Sequence, residues 1–271
     1  MKRAGVAALV AAVALLCTGC LSVETTVRVN ADGGGTVHQV FMMNREFLQM
    51  MKEFGSMGQS SDDEADADDE LDLIQEDELR RAAEEMGEGV RFLSAVPLST
   101  DAQQGYEAVY AFENIEELRV NQNPSEKVPG DAPAGPEEAQ EFVTFQLQRG
   151  NPNVLTVHFP QDETEVDARR DEAPEELDPS MAMMMRDFYE NMRISLLLEV
   201  NGIIVSTDAT YRSQNVITLL DMDFGKIVED EERFMRLAQS RADTLEELKL
   251  LVQDVPGLKL EMQERIVVRY R

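Results

Sequence analysis

Residues 23–30 alternate, with Val23, Thr25, Val27 and Val29 to one side and Glu24, Thr26 and Arg28 to the other. A period of two is the pattern of a strand with one buried face. Asp32-Gly33-Gly34-Gly35 supplies residues that accept positive φ, and residues 36–43 resume as a second strand, so a β-hairpin is predicted. Asn44 is placed to cap a helix carrying Phe47, Leu48, Met51 and Phe54 on one side. A helix is predicted over 71–86, strands over 89–98 and 106–112, and a short helical turn over 115–118. A second hairpin is predicted from 141–148 and 154–159, across Gly150-Asn151-Pro152. Asp178-Pro179 reads as N-cap and first residue of another helix, along which Met181, Met184, Met185, Phe188 and Met192 recur at helical spacing. Strands follow over 193–200, 202–209 and 215–224, with Asn201-Gly202 as the turn between the first two. A long helix over 229–252 and a last strand over 258–270 complete the chain. Hairpins dominate and helices are interspersed. The expected class is therefore α+β, a mostly antiparallel sheet built from hairpins with helices packed on it.

Three stretches interrupt this pattern. Residues 56–70 include Asp62-Asp63-Glu64-Ala65-Asp66-Ala67-Asp68-Asp69-Glu70, residues 121–139 hold Pro124, Pro129, Pro133 and Pro136, and residues 161–178 are again acidic with proline. Like charges repel, and these stretches contain too little apolar surface to offset ordering, so they are expected to be acidic disordered loops. They lie within one domain, residues 20–271, preceded by a signal peptide over 1–19.

Lys2 and Arg3 precede an uncharged run over 4–16, which is too short to span a hydrocarbon layer of ~30 Å as a helix. Cys17-Thr18-Gly19-Cys20 follows and resembles the lipobox of bacterial lipoproteins, departing from it by Cys17 where leucine is usual. The thiol of Cys20 is the group that would form a thioether with a diacylglycerol donor. An ordinary secretory signal with incidental cysteines fits less well, because no cysteine follows Cys20 to form a disulfide framework. The expected partner is thus the membrane, through lipid on Cys20. Each buried CH₂ contributes about 0.8 kcal/mol, so two or three chains such as palmitate hold where one does not. With the first strand starting near Val23, the tether spans only ~10 Å and sets the domain against the headgroups, first hairpin nearest. Leu21 stands where aspartate retains some lipoproteins at the inner membrane, so the outer membrane is favoured. No other run is long enough to span, and residues 265–271 alternate and carry charge.

The chain has 271 residues, 53 acidic against 25 basic, and a net charge of −28. Loss of residues 1–19 removes Lys2 and Arg3 and brings the charge to −30. That balance excludes nucleic acid as a partner and opposes adsorption to an anionic bilayer. Acidic, lysine-poor surfaces also occur where salt screens self-repulsion, which makes a saline habitat one reading of the composition.

Chemical motifs are scarce. His38, His158 and Cys20 are the only histidines and cysteine after residue 19, too few for a zinc or iron cluster, so no metal site and no cofactor are expected. GxSxG, HExxH, a Walker loop and GxGxxG are all absent. Asn30-Ala31-Asp32-Gly33 has oxygens near glycine, but position twelve of an EF-hand would be Phe41, and the hairpin reading is preferred. The methionine stripe over 181–192 reads as core packing, with a pliable surface for greasy ligands as the rival. Acid/base pairs need burial to separate their pKa values, and most carboxylates here fall in polar loops. No catalytic residue is assigned; a carboxylate-dependent surface hydrolase is the alternative. Divalent-cation buffering by the acidic loops is a third reading.

Val27-Arg28-Val29-Asn30-Ala31-Asp32-Gly33-Gly34-Gly35-Thr36-Val37, directly after the lipobox, is similar to the opening of the LppM-like family of bacterial lipoproteins. Val200-Asn201-Gly202-Ile203-Ile204-Val205-Ser206-Thr207-Asp208-Ala209 and Asn215-Val216-Ile217-Thr218-Leu219 resemble that family's paired strands near its end. The resemblance implies an α+β envelope domain with lipid or membrane association and no established catalysis. The long acidic insertions depart from it, and no binding residue is carried over. The expected function is a lipid-anchored, non-catalytic envelope lipoprotein that binds a lipid or an envelope protein, or has a structural role.

Overall fold

The computed structural model describes residues 21–46, 48–49, 73–121, 142–160, 192–230 and 255–271. The first hairpin is present as expected. Strand β1 (Leu21–Val29) pairs antiparallel with β2 (Gly35–Asn44) in unbroken register from Leu21 opposite Met43 to Val29 opposite Gly35. Its turn needs glycine at position 33 for two reasons. Gly33 has φ +89°, and a Cβ there would lie 2.8 Å from Leu147 of a different sheet. Helix α1 (Glu76–Glu85) buries Leu79 and Ala83, and Gly87 lets the chain leave it at φ +129°. The meander continues through β3 (Arg91–Ser99) and β4 (Gln103–Phe112), which adds to β2. A 3₁₀ turn (Ile115–Glu117), started by the Asn114 side chain accepting from the Glu116 amide, leads to β5 (Arg119–Asn121). The second expected hairpin is β6 (Phe142–Gln148) with β7 (Asn153–His158).

The later strands depart from the hairpin reading. β8 (Met192–Val200) pairs in parallel with β1. β9 (Ile204–Thr207) does not pair with β8 across Asn201-Gly202; it pairs with the last strand in the other sheet. Asn201-Gly202 is therefore a corner between sheets. The Asn201 amide donates to the Val29 carbonyl, and a Cβ on Gly202 would lie 2.7 Å from the Arg271 carbonyl oxygen. Short β10 (Arg212–Ser213) and β11 (Val216–Asp223) return to the first sheet, and helix α2 (Phe224–Val228) follows. The single strand expected over 258–270 is two: β12 (Leu258–Leu260) pairs with β11, and β13 (Arg265–Tyr270) pairs with β7 and β9.

Sheet A runs β10-β11-β8-β1-β2-β4-β3, with β12 also on β11, and sheet B runs β5-β6-β7-β13-β9. The inward faces share one core. Val27, Val29, Val37, Tyr110, Leu198 and Val200 of sheet A meet Val143, Leu155, Val157, Ile266 and Val268 of sheet B in one buried cluster. Burying each such aliphatic side chain contributes roughly 1.5–3 kcal/mol. This corrects the expected α+β class. The described fold is mostly β, two sheets facing each other, and its α-helical residues among those described are α1, α2 and residues 45–46 and 48–49. Alternation located the strands, but among the described residues the cover for sheet A's inner face comes chiefly from sheet B. The helix expected from Asn44 is helical where it is described, at residues 48 and 49, and Met192 of the expected methionine helix instead opens β8. The rest of the helix expectations over 47–54, 178–192 and 229–252 (but for Glu229 and Asp230), the signal peptide over 1–19, and the acidic loops (but for Asn121) lie outside the described residues. At Asn44 the side chain does accept a hydrogen bond from the Glu46 amide at 2.7 Å, as a cap would.

Candidate functional site

Cys20, the one assigned site residue, lies just outside the described residues, and its neighbour is well placed. Leu21 is 4% exposed and begins β1 with no intervening linker. It sits at the open end of the first hairpin, opposite Met43 on one side and Met192 on the other. Nine residues of β1 then carry the chain about 30 Å to the turn at Asp32 and Gly33.

That turn is bound by both sheets. Tyr270 Oη donates to the Asn30 carbonyl at 3.0 Å, Asn153 Nδ2 to the Ala31 carbonyl at 2.9 Å, and Arg149 Nε to the Asp32 carbonyl at 3.1 Å. Asp32 Oδ1 accepts from the Gly34 amide, and Asn30 Oδ1 from Asn201 Nδ2. These oxygens accept intramolecular hydrogen bonds, which favours the hairpin over a calcium loop. Among the described residues no three of His, Cys, Asp and Glu gather into a metal-sized group.

His38 and His158 lie on the outward faces of different sheets. His38 sits in a ladder across sheet A. Its Nδ1 meets Glu107 Oε1 at 3.0 Å and its Nε2 meets Arg28 Nη1 at 3.0 Å, while Arg28 Nε donates to Glu199 Oε2 at 2.9 Å. A guanidinium only donates, so Nε2 accepts and Nδ1 carries the proton given to Glu107. Both ring nitrogens are engaged with charged side chains, an arrangement that braces four strands and leaves neither nitrogen free for a nucleophile.

A cavity of about 230 Å³ opens between sheet A, α1 and the β5–β6 end of sheet B. Val23 and Phe41 form its floor, Ala82 and Met86 its helical wall, and Val120 and Phe142 its far side. The Phe41 and Tyr106 rings stack with centroids 5.5 Å apart. Burial first, and the Glu78 carboxylate second, push the Tyr106 phenol above its ordinary pKa, so it presents a neutral hydroxyl. Arg119 fixes the wall. Its backbone amide donates to the Met86 carbonyl at 2.8 Å, its Nε donates to the Glu85 carbonyl at 3.1 Å, and its guanidinium lies 5.5 Å from the Phe142 ring centre. A cation at the carbonyl end of α1 is also favoured by the helix dipole. Glu85 is the one carboxylate among the lining residues, where glycosidase-type chemistry needs two. The cavity was not foreseen from sequence. Gly87 after the α1 pattern was the available signal for a helix end at Met86, but the approach of β5 depends on contacts between distant segments.

No protein-family profile matches the chain, and no curated protein matches it. Among solved structures it is similar to the NMR structure of the folded domain of the Mycobacterium tuberculosis LppM protein, at 12% identity, covering 75% of this chain and 82% of that one, with a TM-score of 0.29. A likeness this distant leaves the two sequence segments as a resemblance only.

Proposed function

We propose that this protein is a lipid-anchored, non-catalytic component of a bacterial cell envelope whose domain binds a lipid or protein ligand or supports the envelope structurally. One observation supports this reading most directly: the fold begins at Leu21, immediately after the lipobox cysteine, buried and paired on both sides. A lipid on Cys20 would hold the open end of the first hairpin at the headgroups and carry its turn about 30 Å away. That refines the expectation that the whole hairpin lies nearest. The exported, outer-membrane address belongs to this proposal, as does a lipid ligand in the cavity. At about 230 Å³ the cavity would admit a short apolar segment, not a whole lipid.

The test is expression of the full chain and its Cys20→Ser form in a bacterium with the lipoprotein pathway, followed by fractionation and intact mass. The native chain should pellet with membranes and carry the mass of a diacylglycerol group plus any further acyl chain. The variant should carry neither and lose most of its membrane association. An unmodified Cys20, or a variant that pellets equally well, would sink the anchor. Native mass spectrometry of the full chain in neutral detergent addresses the ligand. A wild-type spectrum without an acyl-bearing adduct rules out the lipid version.

A further inference from the structure

Two charged residues line the cavity beside α1, one of each sign. Arg119 and Glu85 are both exposed, so they stand at its solvent side. Arg119 is held from two directions, by Nε donating to the Glu85 carbonyl at 3.1 Å and by the Phe142 ring, whose centre is 5.5 Å from the guanidinium. Among the described residues the guanidinium and the Glu85 carboxylate form no ion pair, with each other or with another side chain. Elsewhere on sheet A and α1, Arg28, Arg80, Arg91 and Arg193 each hold a carboxylate. Glu78, the acid that acts on Tyr106, already has Arg81 at 4.0 Å. The mouth of the cavity therefore carries two opposite charges that share a backbone link and are not joined.

Behind this pair the walls are apolar, formed by Val23, Phe41, Met86 and Phe142. The space is about 230 Å³. An apolar cavity of about 150 Å³ takes up benzene, so this one has room for a single phenyl or isobutyl group and the carbons that join it to a polar head. Tyr106 adds a neutral hydroxyl and Gln39 an amide, both able to donate to a carboxylate.

We propose that the cavity binds a small zwitterion with one apolar arm, the chemistry of an α-amino acid such as phenylalanine or leucine. The ligand carboxylate meets the Arg119 guanidinium, its ammonium meets the Glu85 carboxylate, and its side chain enters between Val23, Phe41 and Phe142. A ligand with one charge fits less well. A simple carboxylate brings like charge to Glu85, and a simple amine brings like charge to Arg119. A zwitterionic lipid headgroup carries both charges, but its acyl chains exceed the volume. The inference concerns the cavity alone. It names an occupant other than the lipid considered above and does not depend on the anchor.

The probe is L-phenylalanine, titrated by calorimetry into the full chain held in phosphatidylglycerol nanodiscs, which offer no zwitterionic headgroup. The native chain should bind it saturably. Phenethylamine and hydrocinnamate, each lacking one of the two charges, should bind about fivefold more weakly or worse. Glu85→Gln should remove the preference for phenylalanine over hydrocinnamate, and Arg119→Gln the preference over phenethylamine. Arg119→Lys keeps the charge and should keep part of that preference, which separates the lost cation from a loosened wall. Ala82→Leu fills the space from α1 and should abolish binding with the melt unchanged. Arg91→Gln, on the far edge of sheet A, should bind as the native chain does. No saturable binding by the native chain, equal binding of the three probes, or preferences that survive both charge removals would overturn the proposal. So would phenylalanine binding that vanishes when phosphatidylethanolamine replaces phosphatidylglycerol in the discs, because the site would then belong to a lipid headgroup.

Discussion

Tyr110 stands in β4 opposite Val37, fully buried, with the Phe92 ring edge-on at 5.9 Å. Its hydroxyl has no hydrogen-bond partner in the structure. A buried hydroxyl left unpaired costs roughly 1–3 kcal/mol relative to water. Tyr110→Phe removes that group and keeps the ring, at the expense of a few dispersion contacts in a void smaller than a water. The expected net effect is stabilisation by about 1 kcal/mol, a rise in Tm of about 2–4 °C for a domain of this size. Tyr270→Phe is the matched control. The Tyr270 hydroxyl donates to the Asn30 carbonyl at 3.0 Å, so its loss should destabilise by about 1 kcal/mol. Urea titration and thermal melts of the two variants in the same detergent decide the matter. A Tyr110→Phe protein less stable than native by about 1 kcal/mol or more would refute the reasoning, because the hydroxyl would then be bonded. The pH dependence provides a second arm. Burial chiefly, with Tyr106 adding, raises the Tyr110 phenol far above its ordinary value of 10.0. Above pH 10 the unfolded chain releases this proton while the folded chain retains it, so stability is fully present below pH 10 and falls as pH rises beyond it. Tyr110→Phe should make that alkaline decline shallower, without abolishing it, because Tyr106 and Tyr270 are raised as well.

Glu261 is 4% exposed and accepts from the Thr210 amide at 2.7 Å, from Thr210 Oγ1 at 3.0 Å and from Gln263 Nε2 at 3.1 Å. Glu261→Ala strands the Thr210 amide and should cost about 2–3 kcal/mol by urea titration; a loss below about 0.5 kcal/mol would show that water replaces the carboxylate. Gly87→Ala places a Cβ 1.9 Å from the Glu117 carbonyl oxygen at φ +129°. It should lower stability by more than about 2 kcal/mol and, because this loop packs α1 against the turn before β5, change Tyr106 fluorescence in the cavity; an unchanged melt would contradict the close packing there.

Local chemistry was legible wherever a strand's partner follows it closely. The β1–β2 and β6–β7 hairpins combine alternation with turn residues, and both the register and the turns can be read from neighbouring positions. Asn201-Gly202 misleads for a physical reason: a turn dipeptide reverses the chain, but long-range pairing decides which sheet receives it, and here Val29 and Arg271 hold the corner. Residues 258–270 read as one strand because alternation passes over the break at residues 261–264, where Glu261 turns inward to Thr210. The class was misjudged because alternation shows that a face is buried and not what buries it. Of the site, the start of the first strand close after Cys20 was legible. The cavity was not, since Arg119, Phe142 and Val23 come from three segments brought together only by the sandwich.

The parallel pairing of β1 with β8 bears on the order in which the chain assembles. β1 lies centrally in sheet A, yet its parallel neighbour begins at Met192, register partner of Leu21. The meander of β1, β2, β4 and β3 can form from local contacts as synthesis proceeds, leaving one side of β1 bare. Closure then waits for a loop of about 170 residues, whose entropy grows only slowly with length but opposes nucleation. Chains ended before residue 192 would keep that valine-rich edge open and should associate through it, so the late residues act as a lock on strands made first.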